Sequence, residues 1–383
     1  MLGSKHSLSK PYRVLLMAMV AGMGAAALTG QSDAIVAAAQ TPAGGAPDAS
    51  VPTQGERGGE PFLLTTYTRF GAETRASGQL YYEVMEAKRD FREAAREFRE
   101  RPPGCPLTIY QCLGPQDEVI DSFVGVASRL LIRVVYKTDA PGLAPEEVIW
   151  PHVDQPIVNR IRAIPRLAKG MRVYASIALK QDPHNRLWGK QEQRWPTFEE
   201  AQFTAIAVMG ADYAGIAWKG GFRDAVEAER STAFEAAIRK CANELGHAVA
   251  VGWVVGSPTQ PVTARCSGDK LFVMLLNPDY MNLGPDGVIA LPSKASDMEG
   301  ELTIKLPEGI AVKAGNYLMG SPAVVHAGHG EARVSYRFSG GGEILILDLE
   351  RLGPPPTGTA TSRSAASASA GPSPSTGTSG KAE

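Results

Sequence analysis

His152 and Asp154 stand two residues apart in the run Trp150-Pro151-His152-Val153-Asp154, and Gln181 and Asp182 follow the apolar run Arg172 to Leu179 (RVYASIAL). An imidazole near a carboxylate can exchange protons with a ligand, and a carboxylate at a strand end can act as acid, base or nucleophile. Trp188, Trp195 and Trp218 lie in or near the same stretch, followed by Lys219. An indole offers an apolar face and one N–H donor, a combination that suits the C–H faces and hydroxyls of sugar rings. Asp154 and Asp182 are therefore the candidate acids. His152, Gln181, Trp188, Trp195, Trp218 and Lys219 are the candidate ligand contacts. Each has a plainer alternative: Asp154 as a cap beside a surface His152, Asp182 as a turn residue before Pro183, Trp195 and Trp218 as packing, and Lys219 as a solvated cation.

Other carboxylates read as structural. Glu199 and Glu200 follow Thr197 in a capping-box pattern, where Thr and the Glu three residues later each satisfy an exposed backbone donor. Asp224 and Glu227 fall in the loop after Trp218, where they could serve as rim acids, an exposed charged loop being the plainer reading. There is no Gly-rich phosphate loop ending in Lys-Ser/Thr and no Gly-x-Ser-x-Gly elbow, so nucleotide and serine-hydrolase chemistry lack their motifs. Cys105, Cys112, Cys241 and Cys266 show no zinc spacing, and His326 with His329 alone is a weak metal signal. No metal or cofactor is expected. Four cysteines allow three pairings, and Cys105 with Cys112 is the first to test because a short loop around Pro106 separates them.

The elements that must position these residues follow from hydrophobic period. Phe62–Tyr67, Leu107–Leu113, Leu130–Tyr136, Arg172–Leu179 and Tyr213–Trp218 are β-prone apolar runs. Between them, Gln79–Arg101 is expected to be one long Arg/Glu-rich helix stopped by Pro102, and Ile157–Lys169 a helix containing Pro165. A helix capped by Thr197 and another over Ser231–Leu245 complete the set, while Val119–Ser128 mixes both periods. After about Ala248 only short β-prone runs recur: Val262–Cys266, Leu271–Leu276, Gly287–Leu291, Glu301–Leu306, Val324–His326, Ala332–Phe338 and Glu343–Leu349, with Ser267-Gly268-Asp269 as a tight turn.

The chain has 383 residues, 39 Lys+Arg against 40 Asp+Glu and 44% apolar residues. That balance gives no electrostatic reason to bind nucleic acid. Lys5, Lys10 and Arg13 precede an uncharged run, Val14–Leu28, which is followed by small residues. This reads as a signal peptide over residues 1–30, with an uncleaved anchor as the alternative, and predicts export to the periplasm, cell surface or exterior without membrane insertion of the mature chain. Residues 31–59 read as a disordered linker and 353–383 as a disordered Pro/Ser/Thr/Ala tail. The folded part should divide at about residue 256 into 60–256 and 257–352.

The run WPTFEEAQFTAIAVMGADYAGIAW resembles the last α/β step of secreted bacterial glycoside hydrolases with a TIM barrel; FEAAIRKCANELG resembles their final barrel helix, and GDKLFVMLLNPD the first hairpin of the β-sandwich that follows. The resemblance covers roughly residues 150–350. It implies a multidomain fold of α/β plus all-β type, a reduced or partial (β/α) TIM-like barrel followed by a β-sandwich. It implies a poly- or oligosaccharide partner and hydrolysis by two carboxylates. The stretch before Gly256 is short for a full barrel. The family's Asn-Glu at a middle strand end is absent, since Asn243-Glu244 lies in the final helix segment. A non-catalytic glycan- or surface-binding protein on the same scaffold is the alternative.

Overall fold

Six strands pair in parallel in the order β1-β6-β5-β4-β3-β2. They are β1 (Leu63–Thr66), β2 (Leu80–Glu83), β3 (Leu107–Cys112), β4 (Arg129–Val134), β5 (Arg172–Ala178) and β6 (Gly215–Lys219). The computed structural model describes residues 60–77, 80–83, 90–101, 106–112, 117–134, 157–179, 196–255, 262–280, 296–328 and 330–352. Each strand from β2 to β6 pairs with its sequence neighbour, and β1 pairs with β6 through Leu63↔Gly215 to Thr66↔Trp218. The sheet is therefore edged by β1 and β2, between which the described residues show no ladder.

The connecting helices are α1 (Tyr67–Ala76), α2 (Phe91–Arg99), α3 (Asp117–Phe123), α4 (Ile157–Leu167) and α5 (Phe198–Gly210). After β6 come α6 (Ala225–Lys240) and α7 (Ala242–His247). Alternate strand residues such as Leu64, Ile109, Ile132, Ala175, Ile177 and Trp218 share one core with residues of α2 to α7. The opposite parity carries a second cluster, Tyr110, Leu131, Tyr174 and Ala217, with Phe70 of α1. The Phe70 and Tyr174 rings are 5.1 Å apart and those of Tyr67 and Tyr110 5.5 Å apart. Thus α1 packs on the face turned away from the other helices.

Several expectations need correction. Gln79–Arg101 is not one helix. Its start, Leu80–Glu83, pairs with β3, and the helix begins only at Phe91, where the Asp90 carboxylate accepts the Arg92 N–H. Two adjacent tyrosines favour a pleated strand, and pairing to β3 overrides the helical spacing further on. Helix α1 was not anticipated: Thr66 caps it, but only Phe70 and Thr74 are buried, so its apolar period is faint. The ambiguous Val119–Ser128 resolves into the end of α3 and a turn. The Ser231–Leu245 helix starts earlier, at Ala225, and breaks at Cys241 into α6 and α7.

Two antiparallel sheets follow. One has the order β12-β15-β10-β9-β7 and the other β13-β14-β11-β8. Their strands are β7 (Val249–Val251), β8 (Val254–Val255), β9 (Val262–Ser267), β10 (Lys270–Leu276), β11 (Met298–Lys305), β12 (Ile310–Tyr317), β13 (Val324–Gly328), β14 (Glu331–Phe338) and β15 (Gly342–Arg351). β7 and β8 precede residue 256, so antiparallel pairing begins inside the segment assigned by sequence to the α/β part. The turn at Gly268-Asp269 is as expected, with Ser267 paired to Lys270 and Gly268 at φ 59°, a conformation that favours glycine. The expected strand at Gly287–Leu291 lies outside the described residues, and β12 was missed because Lys313, Gly315 and Asn316 obscure its alternation.

β10 is apolar on both faces for a reason. Leu271, Val273 and Leu275 join a cluster drawn from both antiparallel sheets, whereas Phe272, Met274 and Leu276 join the core of the α/β part. Helix α5 lies between the two parts. Ten of its 13 residues are buried, the composition of a helix packed on more than one side.

Candidate ligand site at the carboxyl ends of the parallel strands

Parallel strands send all their following connections from one end, and in ring-like α/β folds that end holds the site. Register defines what the inner face presents there. One row runs Arg133↔Ser176↔Ala217↔Thr65 across β4, β5, β6 and β1. The row beneath it runs Tyr110↔Leu131↔Tyr174↔Gly215↔Leu63. The lower row is apolar from Tyr110 to Leu63 and clusters with Tyr67 and Phe70 of α1, and it continues on β2 at Glu83. The upper row is polar although buried: Arg133 is 5% exposed, Ser176 0% and Thr65 6%. The Ser176 and Thr65 hydroxyls find no hydrogen-bond partner. Between them stands Ala217, 1% exposed and in one cluster with Phe70 of α1, so the two hydroxyls lie two strand spacings apart, about 4.8 Å each, on a covered row.

Lys219 ends β6 one row further out. Its ammonium lies 4.9 Å from the centre of the Tyr67 ring, a cation–π contact that ties it to the start of α1. At the opposite, amino-terminal end, Arg129 and Arg172 stand 5.8 and 5.9 Å from the centre of the Tyr174 ring, and Arg172 also pairs with Glu60. Burial raises the Tyr174 hydroxyl above its ordinary pKa, more than those two cations lower it.

Of the residues singled out by sequence, two are described. Trp218 is 3% exposed and packs in the helix-side core, and its indole N–H has no acceptor there. Strand alternation turns it away from Ala217 and Lys219, so it packs the scaffold and presents no face to a ligand on the inner side. Lys219 is at the strand end, as expected, and is held by an aromatic ring. His152, Asp154, Gln181, Asp182, Trp188 and Trp195 lie outside the described residues, as do Cys105 and the proposed pairing with Cys112.

Glu199 and Glu200, read as structural, are so used, whereas Asp224 and Glu227, expected in a loop, cap and begin helix α6. The Thr197 hydroxyl accepts from the Glu200 N–H at 3.3 Å and the Glu200 carboxylate accepts from the Thr197 N–H at 2.9 Å. Glu199 pairs with Arg230 at 2.6 Å. Asp224 caps α6 by accepting from the Val226 and Glu227 N–H groups, and the Glu227 carboxylate accepts the Phe198 N–H at 3.2 Å. The sequence reading missed Arg133, Ser176 and Thr65. Their signal was available: a guanidinium inside the apolar run LLIRVV, and hydroxyls in YASIA and LLTT, are polar insertions in strands otherwise built for burial.

No family model matches the chain, and no curated protein matches it. Among solved structures it is similar to a GH30 endoxylanase from Clostridium papyrosolvens C71 (8% identity, TM-score 0.42, covering 72% of this chain and 68% of that one). It is also similar to the maltogenic α-amylase AmyB from Thermotoga neapolitana (12%, 0.39, covering 74% and 64%). A third is an α-amylase from Anoxybacillus (12%, 0.37, covering 67% and 55%). The chain thus spans less than two thirds of the length of both amylases. These likenesses to carbohydrate-active enzymes are loose, and values this low establish neither the closure of the ring nor an activity.

Proposed function

We propose that the chain is an exported carbohydrate-active protein whose ligand meets the carboxyl ends of the parallel strands. One observation carries this reading: β4, β5, β6 and β1 are neighbours, so the connections that leave β4 and β5 start from the end of the sheet that bears Arg133, Ser176 and Thr65. Those two connections contain His152, Asp154, Gln181, Asp182, Trp188 and Trp195. In this reading the scaffold is a reduced β/α barrel closed across the β1/β2 seam, and the antiparallel sheets face each other as a sandwich.

Asp154 and Asp182 then act on a poly- or oligosaccharide, one protonating the leaving oxygen and the other serving as nucleophile or base. Carboxyl groups about 5–5.5 Å apart give retention, and about 6.5–9.5 Å inversion. His152 and Gln181 bind sugar hydroxyls, and Trp188 and Trp195 supply stacking faces. The residues 1–30 direct export to the periplasm, cell surface or exterior. Turnover on a panel of chromogenic glycosides and polysaccharides tests the hydrolytic reading. Asp154→Ala and Asp182→Ala should each lower kcat/KM by about 100- to 10,000-fold. No turnover on any substrate, with ligand binding unchanged in both variants, overturns it.

A non-catalytic glycan-binding role is favoured by a separate observation. The six parallel strands contain one acidic residue, Glu83, opposite Tyr110 in register, while the described inner strand ends offer cations and hydroxyls. Calorimetric binding of oligosaccharides with no product on chromatography supports this second role over the first.

A further inference from the structure

We infer that the flank of α4 bearing Arg162 and Arg166, continued by Lys169 in the turn beyond, is a docking strip for an anionic polysaccharide. The inference rests on the carbohydrate reading above and adds to it a second surface and the charge of the polymer. Helix α4 packs between α3 and α5. Its Arg160 donates to the Asp117 carboxylate at the start of α3, which fixes one flank. Two residues further on, the helix has turned by about 200°, so Arg162 stands on the other flank, toward α5. Arg166 follows one turn later on the same side.

This flank holds charge that no carboxylate balances. Arg162 is partly buried, and its Nη2 is closed off from solvent with no hydrogen-bond acceptor, although the residue as a whole reaches the surface. Arg166 and Lys169 are exposed. Among the described residues none of the three bonds to a carboxylate. The neighbouring helix has none to spare: α5 carries only Glu199 and Glu200, the first held by Arg230 and the second by the cap at Thr197. Burial, and after it the charge of Arg166, hold the Arg162 pKa below its ordinary value. Desolvating a cation without a counter-ion is costly, and like charges one turn apart on a helix repel each other. An arriving anion relieves both, and it can reach the strip from solvent past the exposed Arg166.

The chemistry of the strip selects the partner. Guanidinium forks pair with the oxyanions of carboxylate, sulfate or phosphate groups. From Arg162 to Lys169 the chain advances about 10 Å, more than one such group spans, so the strip suits anions that repeat along a polymer. Helix α4 carries no aromatic residue on which a base could stack, and none of the large apolar residues described as exposed lies on it. A single-stranded nucleic acid and a membrane therefore each lack half of their usual contact. A polysaccharide bearing uronate or sulfate groups needs only the cations.

Affinity electrophoresis and calorimetry on the full chain should compare polygalacturonate and dextran sulfate with neutral dextran and xylan, and with DNA and phosphatidylglycerol vesicles. The expected result is binding of acidic polysaccharides in preference to neutral ones, weakening as salt rises. Arg162→Met should weaken it about tenfold, and Arg166→Gln and Lys169→Gln about threefold each. Arg162→Lys, which keeps the charge, should weaken it less than Arg162→Met. Arg92→Gln, which removes the same charge from α2, should leave it unchanged. Methionine keeps much of the stem's packing and leaves no unpaired charge, so Tm in Arg162→Met should be unchanged or raised.

Binding of polygalacturonate alone assigns the anion as carboxylate, and binding of dextran sulfate alone assigns it as sulfate; either upholds the strip. Equal binding of neutral and acidic polysaccharides, unaffected by these variants, overturns the strip and leaves the carbohydrate reading intact. Acidic binding weakened as much by Arg92→Gln as by Arg162→Met overturns it too, because net charge then suffices. DNA or vesicles bound through Arg162 and Arg166, with no polysaccharide bound, overturn both the polysaccharide assignment and the carbohydrate reading. No binding of any acidic polymer overturns the strip, and the substrate panel above still tests the carbohydrate reading by itself. A Tm lowered by several degrees in Arg162→Met assigns the guanidinium to the fold and also overturns the strip.

Discussion

Replacing Arg265 with Met should loosen the junction between the α/β part and the antiparallel sheets. Arg265 lies on β9, 3% exposed. Its guanidinium donates to the Met209 carbonyl at 2.9 Å, to the Ala248 carbonyl at 2.6 Å and to the Asp212 carboxylate at 3.2 Å. Met209 is in the last turn of α5, where carbonyls lack intrahelical partners and the helix dipole favours a cation. One side chain therefore staples the end of α5 and the chain beyond α7 to the sheet. Methionine fills much of the space but donates nothing, so two buried carbonyls lose a charged donor at about 1–3 kcal/mol each. The Asp212 side chain is half exposed and can be rehydrated, so its share is small. The loss should be about 3–5 kcal/mol. At about 2–4 °C per kcal/mol, Tm should fall by about 6–20 °C. Scanning calorimetry and urea titration measure this, with Asp212→Asn as the control expected to cost under about 1 kcal/mol. An Arg265→Met chain within about 1 kcal/mol of the parent, or an Asp212→Asn chain as damaged as Arg265→Met, refutes the assignment.

Gly341→Val should destabilise at the same junction, because a Cβ there would collide with the Glu199 carbonyl and Phe203 of α5; a melting profile as sharp and as high as the parent's contradicts this packing. Glu343 has its carboxyl pKa raised by burial, which outweighs the bonds it accepts from the Ile344 and Leu318 N–H groups. The native state therefore holds that proton to higher pH than the unfolded chain. Its contribution is fully present below the unfolded value of about 4.3 and is lost as pH rises through the folded value. Glu343→Gln should accordingly raise Tm at pH 7 and leave it unchanged near pH 4, and the reverse order in thermal melts refutes it. Burial, reinforced by Glu244, pushes the Cys241 thiol to about 12, and burial with Asp269 pushes Cys266 to about 11. Neither should react with iodoacetamide at pH 8 until urea unfolds the chain, and mass spectrometry showing either labelled in the folded protein contradicts that placement.

Local chemistry made much of the scaffold legible. Thr197 and Glu200 announce the start of α5 because a capping box is satisfied within four residues, independent of the rest of the chain. The strands β3, β4, β5 and β6 are apolar on both parities, the mark of parallel strands covered on both faces, and were readable for the same reason. Tertiary pairing alone decided that Leu80–Glu83 is a strand and that β1 lies beside β6, since both depend on partners far away in the chain. It also decided that Trp218 packs outward against helices, while Arg133, Ser176 and Thr65 meet inward as one row. A one-residue change of parity reverses a side chain's face, and no composition or motif records which face becomes the inside. Register between strands, which the sequence does not record, thus set which residues share a face at the carboxyl ends of the parallel strands.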